Sequence, residues 1–107
     1  MVNSIVIVGR LLAAPDPQPD DTLHVVIAVE RPYLTAEGNQ PPPDHFYVIL
    51  NAKTSGLVAG LLSKGTLVGI QGSASGAVDV GHALAVRVMA KSLRLLGARD
   101  TQPQEAM

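Results

Sequence analysis

The run from His45 to Gly72, H-F-Y-V-I-L-N-A-K-T-S-G-L-V-A-G-L-L-S-K-G-T-L-V-G-I-Q-G, decides the fold. His45 to Asn51 predicts a strand, because aromatic and β-branched residues form an unbroken apolar run. Thr54 or Ser55 then offers an N-cap to a short helix through Leu62, since a hydroxyl accepts from a free first-turn N–H. Gly56 and Gly60 weaken that helix, each by about 1 kcal/mol relative to Ala. It therefore depends on packing Leu57, Val58, Leu61 and Leu62 against a core. Lys64-Gly65 is a stop signal: a cation near the negative helix end, then a residue at ease in the left-handed conformation. Thr66 to Ser75 predicts the next strand, in which Leu67, Gly69 and other small residues permit tight curvature.

Upstream, Val2 to Leu12 is rich in β-branched residues and predicts a first strand. Pro15, Pro17 and Pro19, followed by Asp20-Asp21, predict a loop that cannot join a ladder. Leu23 to Glu30 predicts a second strand. Arg31 to Asp44 is a long polar connection with Gly38-Asn39 and Pro41-Pro42-Pro43, of a length that suits a functional loop. Downstream, Gly76 to His82 turns the chain into a last strand. There Leu84, Val86, Val88 and Ala90 share one parity, and Leu93 and Leu95 fall on the other. A bulge near Lys91-Ser92 would return both sets to the core. Arg99 to Met107 is a polar tail, expected to be mobile. The order β-β-β-α-β-β is that of an all-β, five-stranded Greek-key barrel, the OB-fold, with one short helix plugging the barrel between the third and fourth strands. The expected domain is residues 1–98, followed by a tail at 99–107.

Composition agrees with a single domain. The chain has 107 residues, 47% hydrophobic and 16% charged, which suits one modest globular core. Aromatics are only 3%, so the core must be built from Val, Leu, Ile and Ala. There is no Cys, which excludes disulfides, thiolate metal sites, iron–sulfur clusters and a Cys nucleophile. No apolar run reaches the roughly 18 residues of a membrane span. No charged region precedes an apolar stretch at the N-terminus, so a signal peptide is not expected and the expected location is cytoplasmic. The net charge of −1 is an average. Residues 1–50 carry Arg10 and Arg31 against Asp16, Asp20, Asp21, Glu30, Glu37 and Asp44. Residues 51–107 carry Lys53, Lys64, Arg87, Lys91, Arg94 and Arg99 against Asp79, Asp100 and Glu105. The basic second half can serve a polyanion that the average charge does not advertise.

Catalytic readings find no support. Ile5-Val6-Ile7-Val8-Gly9 resembles the opening of a dinucleotide fold, but G-x-G-x-x-G is absent and Pro15-Asp16-Pro17 stands where a helix should run. His24, His45 and His82 lie in separate elements, so no metal site and no cofactor is expected. His24, within an apolar strand, is expected to be a buried hydrogen-bonded group. No Ser-His-Asp order with a nucleophile turn occurs, nor a carboxylate pair in an apolar setting. The chain is expected to bind rather than catalyse.

The ordered set of segments resembles the bacterial single-stranded DNA-binding protein family. Val2 to Leu11 (V-N-S-I-V-I-V-G-R-L) is similar to that family's first strand. Ala28-Val29-Glu30-Arg31-Pro32-Tyr33 resembles the end of its second. Asp44 to Lys53, then Leu57 through Gly72, resembles its third strand, helix and fourth strand. Val86 to Gly97 (V-R-V-M-A-K-S-L-R-L-L-G) resembles its fifth. The resemblance implies sequence-nonspecific binding of single-stranded DNA in replication, recombination or repair, by a cytoplasmic, nucleoid-associated protein. It also implies a homo-oligomer, dimer or tetramer, paired through strand 1 and nearby sheet faces.

Such binding needs cations along the phosphates and flat groups under the bases. The cation candidates are Arg10, Arg31, Lys53, Arg87, Lys91 and Arg94. The stacking candidates are Tyr33, Tyr47 and His45. Phe46, of opposite parity to Tyr47, is expected in the core or at a subunit contact. Tyr33 stands where the resembled family has a stacking aromatic, whereas two such positions hold His45 and Asn51. The hairpin between the last two strands is short, and the acidic recruiting tail of the family has no counterpart. These departures predict weaker stacking and a larger electrostatic share. They also carry the alternative reading: a tailless, PriB-like primosome component, or an OB-fold module that binds protein and little or no DNA.

Overall fold

The computed structural model describes residues 2–81 and 83–97. The elements are β1 (Ile5–Leu11), β2 (Asp16–Pro17), β3 (Leu23–Val29), β4 (Asp44–Leu50), helix α1 (Ala52–Val58) with a 3₁₀ turn at Ala59–Leu61, β5 (Leu67–Asp79) and β6 (Leu84–Gly97). Strand order is β1-β5-β6-β4-β3-β2, and a further β1–β3 pairing closes the ring. All pairings are antiparallel except β4 with β6. The result is the closed five-stranded OB-fold barrel, with β2 as a two-residue appendage.

Alternation explains the closure. Leu23, Val25 and Ile27 of β3 point inward, as do Val48 and Leu50 of β4, Val68 and Ile70 of β5 and Val88 and Ala90 of β6. With Ile7, Leu11 and Leu62 they make a wholly aliphatic core, against which Phe46 packs partly buried. β1 meets β3 closely where Gly9 lies. A methyl group there would stand 2.3 Å from the Ala28 carbonyl oxygen, so only glycine permits this approach.

The bulge expected near Lys91-Ser92 is present. Gln71 pairs with Ser92 and Gly72 with Ala90, leaving Lys91 unmatched on β6. Leu93 then packs against the core. A second irregularity falls between Ala74 and Ala77, where Gly76 has φ +79°.

Four local expectations are corrected. The helix cap is Asn51, whose Oδ1 accepts from the Thr54 N–H at 2.9 Å, because the helix begins before either hydroxyl. Of the expected face, Leu62 is buried and Val58 packs partly buried against the core, but Leu57 and Leu61 are 72% and 60% exposed, because the helix is too short to lay a full stripe on the barrel. Pro17 does join a ladder, opposite Leu23, because β2 is an edge strand that needs no inward donor there. The fourth expected strand runs on to Asp79, paired through to Leu84. Leu84, paired only with Asp79, therefore lies in an arm beyond the β4 ladder and stays exposed, and Val86, at the first β4 pairing beside the second bulge, is also exposed, while Ala85 is buried. His82 and the expected tail at 99–107 lie outside the described residues.

Candidate nucleic-acid interface

The outer surface of β1, β3, β4 and β6 collects several of the expected binding residues in adjacent rows. Register places Arg10 beside Ala28 and Ala28 beside His45. The next row runs from Val26 through Tyr47 to Arg87. A third joins His24, Ile49, Met89 and Ser73. These residues alternate with buried Leu11, Ile27, Val48 and Val88, so their side chains stand on the outside.

Each charged member is held by a specific contact. Arg10 Nη1 donates to the Gly65 carbonyl at 2.9 Å. Arg87 Nε donates to the Ser75 carbonyl at 2.8 Å, bracing the second bulge. Both partners are neutral, so both guanidinium charges remain available to an anion. Arg31 differs. It makes Nε and Nη2 bonds of 3.2 and 2.9 Å to Asp44 Oδ1, at the base of the β3–β4 loop. That bond holds the Asp44 carboxyl below the usual carboxylate range. It also raises the Arg31 guanidinium, with a smaller contribution from Tyr33. Arg31 thus has an anionic partner within the loop, in an exposed pair.

Tyr47 is fixed by a polar chain that reaches the β2–β3 turn. Its hydroxyl lies 2.7 Å from His24 Nδ1, with the two rings edge to face at 5.3 Å. His24 Nε2 lies 3.3 Å from Thr22 Oγ1. Thr22 Oγ1 donates in turn to Asp20 Oδ1, and the Thr22 N–H donates to the same oxygen at 3.1 Å. The hydroxyl bond first, then the backbone bond, holds the Asp20 carboxyl below its ordinary value. Tyr33 is exposed in the β3–β4 loop, two residues after Arg31 and directly after Pro32.

The remaining expected cations fall elsewhere. Lys53 is exposed in the first turn of α1, past the end of β4. Lys91 and Arg94 are exposed on β6 beyond the stretch that pairs with β4, and Arg94 stands beside Gly69 and hence Val8. The structure thus brings Arg10, His45, Tyr47 and Arg87 to one face, places Arg31 and Tyr33 at its loop, and sets Lys53, Lys91 and Arg94 apart. His24, expected to be buried, is instead half-buried on this outer face, because its parity is opposite to that of Leu23, Val25 and Ile27, and sequence reasoning left it without a binding role. Its signal is that it is the one polar residue in Leu23–Val29, on the outward parity of Val26 and Ala28. Among the described residues no group of His, Asp and Glu is arranged to hold a metal ion.

Neither a family model nor a curated protein matches the sequence. Solved structures do match. The small single-stranded DNA-binding protein from Streptomyces coelicolor is similar with a TM-score of 0.69 at 21% identity, over 89% of this chain and 94% of that one. A deletion mutant of the single-stranded DNA binding protein from Thermus aquaticus is similar with a TM-score of 0.68 at 24% identity, over 92% of this chain and 52% of that one. The chain spans about half the length of the Thermus protein. The likeness is one of fold: this chain has the OB-fold seen in bacterial single-stranded DNA-binding proteins.

Proposed function

We propose that the chain binds single-stranded DNA without sequence preference, across the outer face of β1, β3, β4 and β6, in replication, recombination or repair. One observation carries the reading: Arg10, His45, Tyr47 and Arg87 fall in neighbouring rows of that face. Two cations and two flat side chains, side by side, are what a phosphate backbone with unstacked bases requires. The fold neighbours, both single-stranded DNA-binding proteins by name, support it. Arg31 and Tyr33 extend the face into the β3–β4 loop. Lys53, Lys91 and Arg94 contribute only to a strand that wraps further round the barrel. The chain acts by binding, with no cofactor, and the barrel is the binding domain.

The proposed partner arrangement is a homo-oligomer through β1. Ile5 to Val8 pair with β5 on one side and, among the described residues, with no strand on the other. Val6 and Val8 are 70% and 50% exposed on the outer face of that strand. An open backbone edge beside apolar side chains favours pairing with a second copy. The proposed location is cytoplasmic and nucleoid-associated. Among the described residues no helix is long and apolar enough to cross a membrane.

The test is a salt titration with fluorescently labelled oligo(dT). The slope of log affinity on log salt is expected near −0.7 for each phosphate contacted. Replacing Arg10, Tyr47 and Arg87 together is expected to lower both the affinity and the slope. The alternative, a protein-binding or PriB-like primosome module, draws on the Arg31–Asp44 pair, which gives one cation of the track an anionic partner. Unchanged oligo(dT) affinity in the triple variant would favour it.

A further inference from the structure

We propose that His24 sets the hydrogen-bond polarity of the Tyr47 hydroxyl: an acceptor toward a bound strand while His24 is neutral, a donor once His24 is protonated. The inference rests on the reading that this face binds single-stranded DNA, and it gives one residue outside the expected site a role in what the face accepts.

The polar chain fixes the tautomer. The single hydroxyl hydrogen of Thr22 goes to Asp20 Oδ1. Thr22 Oγ1 can then only accept from His24 Nε2, which must carry the ring hydrogen. In a neutral imidazole Nδ1 is then bare, so the Tyr47 hydroxyl donates to it across 2.7 Å. Its hydrogen is turned inward, and only lone pairs face an approaching ligand. Those lone pairs repel phosphate oxygens and suit the N–H groups of bases. When the imidazole gains its second proton, both ring nitrogens donate. Tyr47 Oη then accepts from Nδ1, and its own hydrogen is freed toward a phosphate or carbonyl oxygen. A positive charge is added behind it in the same step.

The titratable and charged groups around His24 come from β2, the β2–β3 turn, β4 and β6. Asp16 of β2 is its register partner, and Asp20 is reached through Thr22. On β4 the neighbours are Tyr47 and the apolar cross-strand partner Ile49, with His45 two residues beyond Tyr47. Arg87 of β6 stands opposite Tyr47. His24 is a positioning residue that acts through Tyr47.

Two measurements on the full chain test this. The first needs no DNA: ¹⁵N spectra of the histidine rings near neutral pH are expected to show neutral His24 as the Nε2–H tautomer. The Nδ1–H tautomer would overturn the inference. The second compares labelled oligo(dT) affinity at acid and neutral pH for wild type, Tyr47→Phe and His24→Gln. Wild type is expected to tighten in acid by about tenfold, the size of one charge-assisted hydrogen bond. Tyr47→Phe keeps His24 and its charge and is expected to show a clearly smaller gain; His24→Gln cannot take up the proton and is expected to show the least. Equal gains in wild type and Tyr47→Phe would sink the hydroxyl mechanism. Absence of wild-type binding at either pH would remove the DNA-binding reading, while the spectrum still decides the polarity.

Discussion

At the residue scale, two glycines hold the barrel seams. A Cβ on Gly72 would meet the Met89 carbonyl oxygen at 2.2 Å, and one on Gly9 the Ala28 carbonyl oxygen at 2.3 Å. Both obstacles are backbone, so neither can swing aside. Gly72→Ala and Gly9→Ala are each expected to lower stability by about 1–3 kcal/mol, read as a fall in the urea midpoint at unchanged slope. Gly56→Ala is the control: open space surrounds it, and it is expected to be neutral or stabilising by about 1 kcal/mol. The sequence announces these glycines without saying which matter, because close approach depends on a partner strand distant in the chain. The same limit hid His24. With apolar residues on both faces of its strand, neither its outward direction nor its contact with Tyr47 is legible without the β3–β4 register, which the long intervening loop leaves open.

At the element scale, β3 and β4 were legible as runs of β-branched and other apolar residues, and the inner half of β6 because its apolar residues keep one parity. The Lys91 bulge was legible for the same reason, as the parity break had to be absorbed somewhere. The helix was legible in place but not in packing. Its leucines have helical spacing, yet seven residues make too short a rod to bury them. Asn51 holds its start, and Ser55 Oγ donates to the Asp21 carbonyl at 2.9 Å. Asn51→Ala is expected to cost about 1 kcal/mol, seen as early loss of amide protection in α1 by hydrogen exchange. The β5–β6 arm depends on Arg87, whose bond to Ser75 spans the second bulge. Arg87→Leu is expected to loosen that arm, with faster exchange at residues 74–79, as well as to weaken oligo(dT) binding.

For the whole molecule, charge and assembly are the open levers. Asp20 and Asp44 are both held below the ordinary carboxylate value by hydrogen bonds made only in the fold. Their contribution is fully present above about pH 3.9 and is lost as pH falls through their lowered native values. Both are exposed, so the effect is small, and Asp44→Asn is expected to shallow the acid limb of a melting-temperature profile between about pH 5 and 2. If β1 pairs two copies, Val6→Lys with Val8→Lys is expected to leave an 11.1 kDa species by light scattering. A wild-type protein already of that mass would refute the proposed pairing. The place of β6 in the sheet has a temporal meaning as well. It lies between β5 and β4 and, among the described residues, follows every other strand. A ribosome making this protein releases β1, β3, β4 and β5 before the staves can be hooped. Until β6 arrives, the edges it will occupy on β4 and β5 stand bare to any neighbouring chain, so the last-made strand sets the interval during which the nascent protein is open to aggregation.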